Sequence, residues 1–123
     1  MIYSNPLIYI EIHESEIPWL KIFTQEHHKE FSHCSNNEKR MIWEALDIIE
    51  KEMLAYFNPT KINIASFGNM LPRVHWHVMA RFENDSYFPE PMWGMKQKEG
   101  FILTAPMEPF LEKVKRELIS RLN

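Results

Sequence analysis

From Leu7 to His13 the side chains alternate, with Ile8, Ile10 and Ile12 on one side and Tyr9, Glu11 and His13 on the other. A period of two predicts a half-buried strand. His13-Glu14-Ser15-Glu16 reads as a turn and Pro18–Thr24 as a second strand. A link this short favours an antiparallel hairpin. Gln25–His33 is polar and reads as a short helix. The period then becomes helical: Ile42, Ala45, Leu46, Ile49, Met53, Tyr56 and Phe57 share one face. Ser35 and Glu38 stand at capping-box spacing before it, and Asn58-Pro59 stops it. The spacing predicts a long helix at about Asn36–Phe57.

Lys61–Phe67 reads as a third strand, with Ile62 and Ile64 on one face, and Gly68-Asn69-Met70-Leu71-Pro72 as a turn. Arg73–Phe82 is a fourth strand. Glu83–Gly100, with Pro89, Pro91 and Gly94, is a connector of a length that is usually functional or mobile. Phe101–Thr104 reads as a short strand. Met107–Leu122 reads as a closing helix with Phe110, Leu111, Val114, Leu118 and Leu122 inward and Pro109 in its first turn. The elements predict one α+β domain over residues 1–123, an antiparallel sheet of about five strands with one long and one C-terminal helix.

Composition narrows the chemistry. The 123 residues are 45% hydrophobic and 25% charged, an ordinary globular balance that excludes disorder for most of the chain. A net charge of −3 lacks the basic excess of a nucleic-acid binder. Cys34 is the single cysteine, so neither an internal disulfide nor a cysteine-rich zinc site is possible. The three glycines cannot form a glycine-rich phosphate loop. No apolar run reaches the ~20 residues of a membrane span. Met1–Pro6 carries neither a basic nor an apolar leader segment, so the expected location is cytoplasmic, with no membrane partner.

The fourth strand carries the chemistry. Alternation puts Val74, Trp76, Val78, Ala80 and Phe82 on an apolar face that must be core. The other face holds Arg73, His75, His77, Met79 and Arg81, with the two imidazoles roughly 7 Å apart by the strand rise. Guanidinium groups match phosphate oxygens. One neutral imidazole can attack phosphorus while a second assists the leaving oxygen. The same row is also consistent with a plain solvent-facing polar surface. A His-x-His metal site completed by His13 is a third reading, although the spacing supplies no clear third ligand.

At this strand the sequence resembles the histidine triad superfamily of hydrolases and transferases, whose motif is His-x-His-x-His followed by apolar residues. Arg73-Val74-His75-Trp76-His77-Val78 matches the second and third histidines. Ile17-Pro18-Trp19-Leu20 looks like the Tyr-Pro-Trp-Leu segment of a bacterial branch. Lys61–Ala65 with Gly68–Pro72 resembles the strand and turn before the triad, and Asp85–Gly94 the proline-tryptophan segment after it. The resemblance runs from about Leu7 to Gly94.

The resemblance implies a nucleotide hydrolase or transferase acting at the α-phosphate of a nucleoside phosphate ester, anhydride or amidate. His75 maps onto the histidine that forms a covalent nucleotidyl intermediate. His77 maps onto the one that contacts the phosphate or leaving group. Asn69 and Arg73 map near the phosphate, and His13 and Glu14 near the ribose. For Asn69 a left-handed turn after Gly68 explains the residue equally well, and for His13 and Glu14 a solvated turn is the preferred explanation. The resemblance also implies a homodimer and no cofactor. The first triad position is Arg73, and its partner histidine in a Pro-Gly-His segment is also missing, because Pro18 is followed by Trp19 and Leu20. The backbone carbonyl that orients the nucleophile survives this change, because Arg73 still supplies one. Arg73 and Arg81 are expected to raise the local positive potential. A non-catalytic nucleotide-binding module is the alternative within this reading. Trp19, Trp43 and Trp76 are expected in the core, and His27, His28 and His33 on the surface. Phe88, Met92 and Trp93 could cover a pocket, meet a partner or pack under the connector.

Overall fold

The computed structural model describes residues 1–123. Five strands, β1 (Tyr3–Ser4), β2 (Ile8–Ile12), β3 (Trp19–Thr24), β4 (Lys61–Ala65) and β5 (His75–Arg81), form one sheet in the order β1-β2-β3-β5-β4. Every neighbouring pair is antiparallel. The long helix α1 (Asn36–Phe57) crosses the inner strands, and α2 (Met107–Leu122) packs on α1 and reaches β1. The predicted α+β architecture is therefore present.

Local chemistry explains where these elements begin and end. Ser35 caps α1 in a complete capping box: its hydroxyl accepts from the Glu38 amide at 3.1 Å, and the Glu38 carboxylate accepts from the Ser35 amide at 2.7 Å. Asn58 closes the helix in the left-handed conformation (φ 47°), which asparagine tolerates better than most residues. The period-two faces of the strands set the packing. Ile8, Ile10, Leu20, Ile22, Val78 and Ala80 meet Ile42, Ala45, Ile49 and Met53 of α1 in one buried core, with Phe110, Val114 and Leu118 of α2 joining it. Each fully buried Ile or Leu contributes about 1.5–3 kcal/mol.

Several predicted details are corrected. The fifth strand is Tyr3–Ser4, too short to leave a periodic signature, while Phe101–Thr104 is irregular. Gln25–His33 contains only a single 3-10 turn, Phe31–His33. The strands predicted at Lys61–Phe67 and Arg73–Phe82 are shorter, ending at Ala65 and starting at His75. Trp43 is 55% exposed on α1 rather than buried, and Trp76 and Phe82 are half-buried.

The second sheet face is also covered, at one end. Met79 packs with Ile17 and Trp19 under Met92 and Phe101. The connector after β5 is tied down there: the Ser86 amide donates to Glu16 at 2.7 Å, and the Gln97 amide donates to the Ser86 carbonyl at 2.7 Å. The open end of the same face holds the histidines.

Candidate active site

β5 lies between β3 and β4, so its backbone is held on both edges. The register sets Phe23 opposite His75, Lys21 opposite His77 and Trp19 opposite Met79. Of these, Lys21, Phe23, His75 and His77 floor a cavity of about 460 Å³, while Trp19 and Met79 pack beside it. His13, Lys21, Phe23, His75 and His77 line it from the sheet; Phe67 to Leu71 and Trp93 form its rim. Gly68 turns that rim at φ +85°, a conformation that strains any residue with a side chain.

His75 and His77 have ring centroids 5.0 Å apart, closer than the strand rise alone suggests, and meet edge to face with 71° between their planes. His75 stacks on Phe23 at 5.4 Å. Its Nδ1 lies 2.9 Å from the Arg73 carbonyl. A carbonyl only accepts, so Nδ1 carries the proton and Nε2 keeps its lone pair. His77 Nδ1 lies 2.9 Å from the indole nitrogen of Trp19. Burial, followed by electrostatic opposition from the basic neighbours His75, His13 and Lys21, lowers the His77 pKa from 6.5 to about 4. His77 is therefore neutral at pH 7. His13 packs against Trp19 with ring centroids 4.0 Å apart and planes tilted by 34°, and burial with nearby Lys21 also lowers its pKa, against a smaller opposing effect of Glu14.

The structure brings His13, Asn69, His75 and His77 together and leaves two predicted residues outside. The Arg73 guanidinium turns away to donate to the Thr24 carbonyl and lies 5.6 Å from the Phe23 ring centroid; what reaches the site is its carbonyl. Glu14 lines a separate cleft with Leu103, Met107 and Leu111. Arg81 does not raise the potential as expected, since it is buried and bonded to Asp85, Asn63 and the Glu90 carbonyl. Lys21 supplies the one fixed positive charge on the cavity wall.

Sequence reading missed Trp19, Lys21, Phe23, Phe67 and Leu71. Trp19, Lys21 and Phe23 alternate along β3, so their shared side was visible, but the side facing the histidines depends on a pairing between segments far apart in the chain. Trp93 resolves an open choice: it lies at 4.9 Å from the His77 ring and 4.7 Å from Phe67, on the cavity rim.

A second group of potential metal ligands, His28, Cys34 and Glu38, gathers its donor atoms within 4.8 Å. Glu38 is already engaged there, accepting from the Ser35 amide and lying 3.1 Å from His28 Nε2. The group braces the start of α1. His28 is thereby half-buried and paired, not a surface residue as expected.

Comparisons with known proteins agree on the fold. The chain superposes on a histidine triad protein of Bradyrhizobium japonicum with a TM-score of 0.76 at 23% identity, covering 94% of this chain and 87% of that one. It superposes on a histidine triad protein of Sinorhizobium meliloti with a TM-score of 0.74 at 25% identity, covering 94% and 86%. A histidine triad protein of Marinobacter aquaeolei gives 0.71 at 22% identity, covering 95% and 83%. No curated protein sequence matches the chain. No helix is long and apolar enough to cross a membrane. The HIT domain model matches residues 1–84, more than half of the sequence, and the chain therefore belongs to the histidine triad family.

Proposed function

We propose that this protein is a nucleotide hydrolase or transferase that acts at the α-phosphate of a nucleoside phosphate ester, anhydride or amidate through a nucleotidyl-histidine. The observation that carries the reading is the bond between His75 Nδ1 and the Arg73 carbonyl, at 2.9 Å. It leaves the Nε2 lone pair free at the floor of a cavity large enough for a small ligand.

In the proposed reaction His75 Nε2 attacks the α-phosphorus. The new P–N bond forms as the bond to the leaving group breaks, and the leaving group departs with that electron pair and takes up a proton. Positive charge develops on the imidazole, and the Arg73 carbonyl stabilises it through the Nδ1 proton. Water then attacks phosphorus as the P–N bond breaks, the electron pair returns to Nε2 to restore neutral His75, and the proton lost by the water passes to solvent. His77 and Lys21 contact the phosphate, as neutral donor and as cation. Asn69 is placed on the rim to add an amide contact. Phe67, Leu71 and Trp93 offer an apolar wall for a flat base. The arrangement does not need a histidine at position 73, because the role assigned to that residue is performed by its backbone.

A panel of nucleoside 5′-phosphoramidates and dinucleoside polyphosphates, assayed for product release, tests the reading. Turnover of at least one supports it. Binding of mononucleotide without turnover of any would instead identify a non-catalytic nucleotide-binding module. The proposal includes a cytoplasmic homodimer with no nucleic-acid partner. Light scattering at micromolar concentration checks the assembly, and a monomer throughout would contradict it.

A further inference from the structure

We propose that Trp19 is a positioning residue that fixes His77 in a single tautomer, with Nδ1 accepting from the indole and the ring proton held on Nε2. An indole nitrogen can only donate. At 2.9 Å, in a buried setting, its proton must be met by a lone pair on His77 Nδ1. A neutral ring with Nδ1 unprotonated carries its proton on Nε2. The two histidines are thus set in opposite states by their partners: a carbonyl makes His75 Nε2 a nucleophile, and an indole makes His77 Nε2–H a donor.

The setting favours this arrangement over its alternatives. Protonating Nδ1 would turn two donors against each other inside a site where both residues are almost fully buried. The basic groups around His77 all oppose a second proton on it and none favours one: His75 beside it on β5, Lys21 across from it on β3 and His13 after β2. No carboxylate lines the cavity to compensate. Trp19 is itself immobilised, with the tilted His13 ring at 4.0 Å, Trp93 edge-on at 5.2 Å and Ile17 and Met79 packed against it. A wide ring held on several sides is a stiffer donor than a hydroxyl or an amide. His77 therefore meets a phosphate with a neutral N–H whose orientation is set before ligand arrives.

The catalytic consequence rests on the function proposed above, whereas the tautomer does not. The test uses the intact protein with ¹⁵N-labelled histidine and tryptophan. In the wild type the expected result is a His77 Nε2–H tautomer from about pH 5 to 8, with a ¹⁵N–¹⁵N coupling across the Trp19 Nε1–His77 Nδ1 bond. A proton on Nδ1, or no coupling, would overturn the proposal without recourse to any variant. Trp19→Phe keeps the ring packing and deletes the donor. It should allow both His77 tautomers and lower kcat roughly fivefold to tenfold with KM nearly unchanged, the scale of one neutral hydrogen bond. An unchanged tautomer ratio in the folded variant would also overturn the proposal. If no substrate is turned over, the NMR result still decides the tautomer, so failure of the functional reading is separable from failure of this one.

Discussion

Arg81 and Asp85 form a buried ion pair immediately after the histidine strand. Arg81 Nε lies 2.9 Å from one Asp85 oxygen and Nη2 3.1 Å from the other, with the two side chains 2% and 0% exposed. Asp85 also accepts from the amides of Phe82, Tyr87 and Phe88. Arg81 reaches on to Asn63 and to the Glu90 carbonyl. The pair thus links β5 and β4 to the connector that carries Trp93 to the cavity rim.

Removing one partner leaves a buried charge unmatched. Asp85→Ala should cost about 3–5 kcal/mol, read from urea denaturation. A loss within the range of a typical surface substitution would mean that the pair is not an anchor.

Two groups make folding sensitive to acid in the same direction. Folding holds His77 at about pH 4 against an ordinary value of 6.5. The unfolded chain therefore binds about one more proton in that window. Stability should fall as the pH drops from 6.5 towards 4 and then level off for this group. Burial raises the Asp85 pKa, but Arg81 and the three amides outweigh it and the net shift is downward. Its contribution is present above the ordinary carboxyl range and is lost as the pH falls below it. Chemical denaturation at pH 7 and pH 5 checks the first effect. His77→Asn should flatten the dependence between those values; an unaltered slope would count against a neutral, buried His77.

Trp76 sits on the helix side of β5, half-buried against Phe31 and Trp43, and its indole N–H is buried without a partner. Trp76→Phe removes that donor while keeping an aromatic ring, and should change stability by no more than about 1 kcal/mol. Trp76→Ala should cost about 2–3 kcal/mol, less than a fully buried aromatic. Paired thermal melts of the two variants test the difference.

Much of the fold is readable along the chain because it follows local periods. The capping box and helical spacing place α1 at Asn36–Phe57. The alternation from Val74 to Ala80 separates the face toward α1 from the face carrying His75 and His77. What escapes is non-local. Tyr3–Ser4 is a strand only because Ile10 and Tyr9 stand beside it. Arg81 shares a face with the histidines yet is buried, because the connector folds over that end of the sheet. The same connector makes Trp93 part of the rim. Arg73 meets His75 through its backbone carbonyl, which no side-chain pattern reveals.

The central claim is that His75 is the nucleophile, and one comparison tests it most directly. Wild type and His75→Ala are assayed for turnover of the same nucleoside 5′-phosphoramidate panel and for formation of a covalent nucleotidyl adduct by intact-mass spectrometry. The side chain faces the cavity, so the variant should melt within about 1 kcal/mol of the wild type. It should lose turnover by about a thousandfold or more and form no adduct. Full hydrolytic activity in a folded His75→Ala protein would contradict the account.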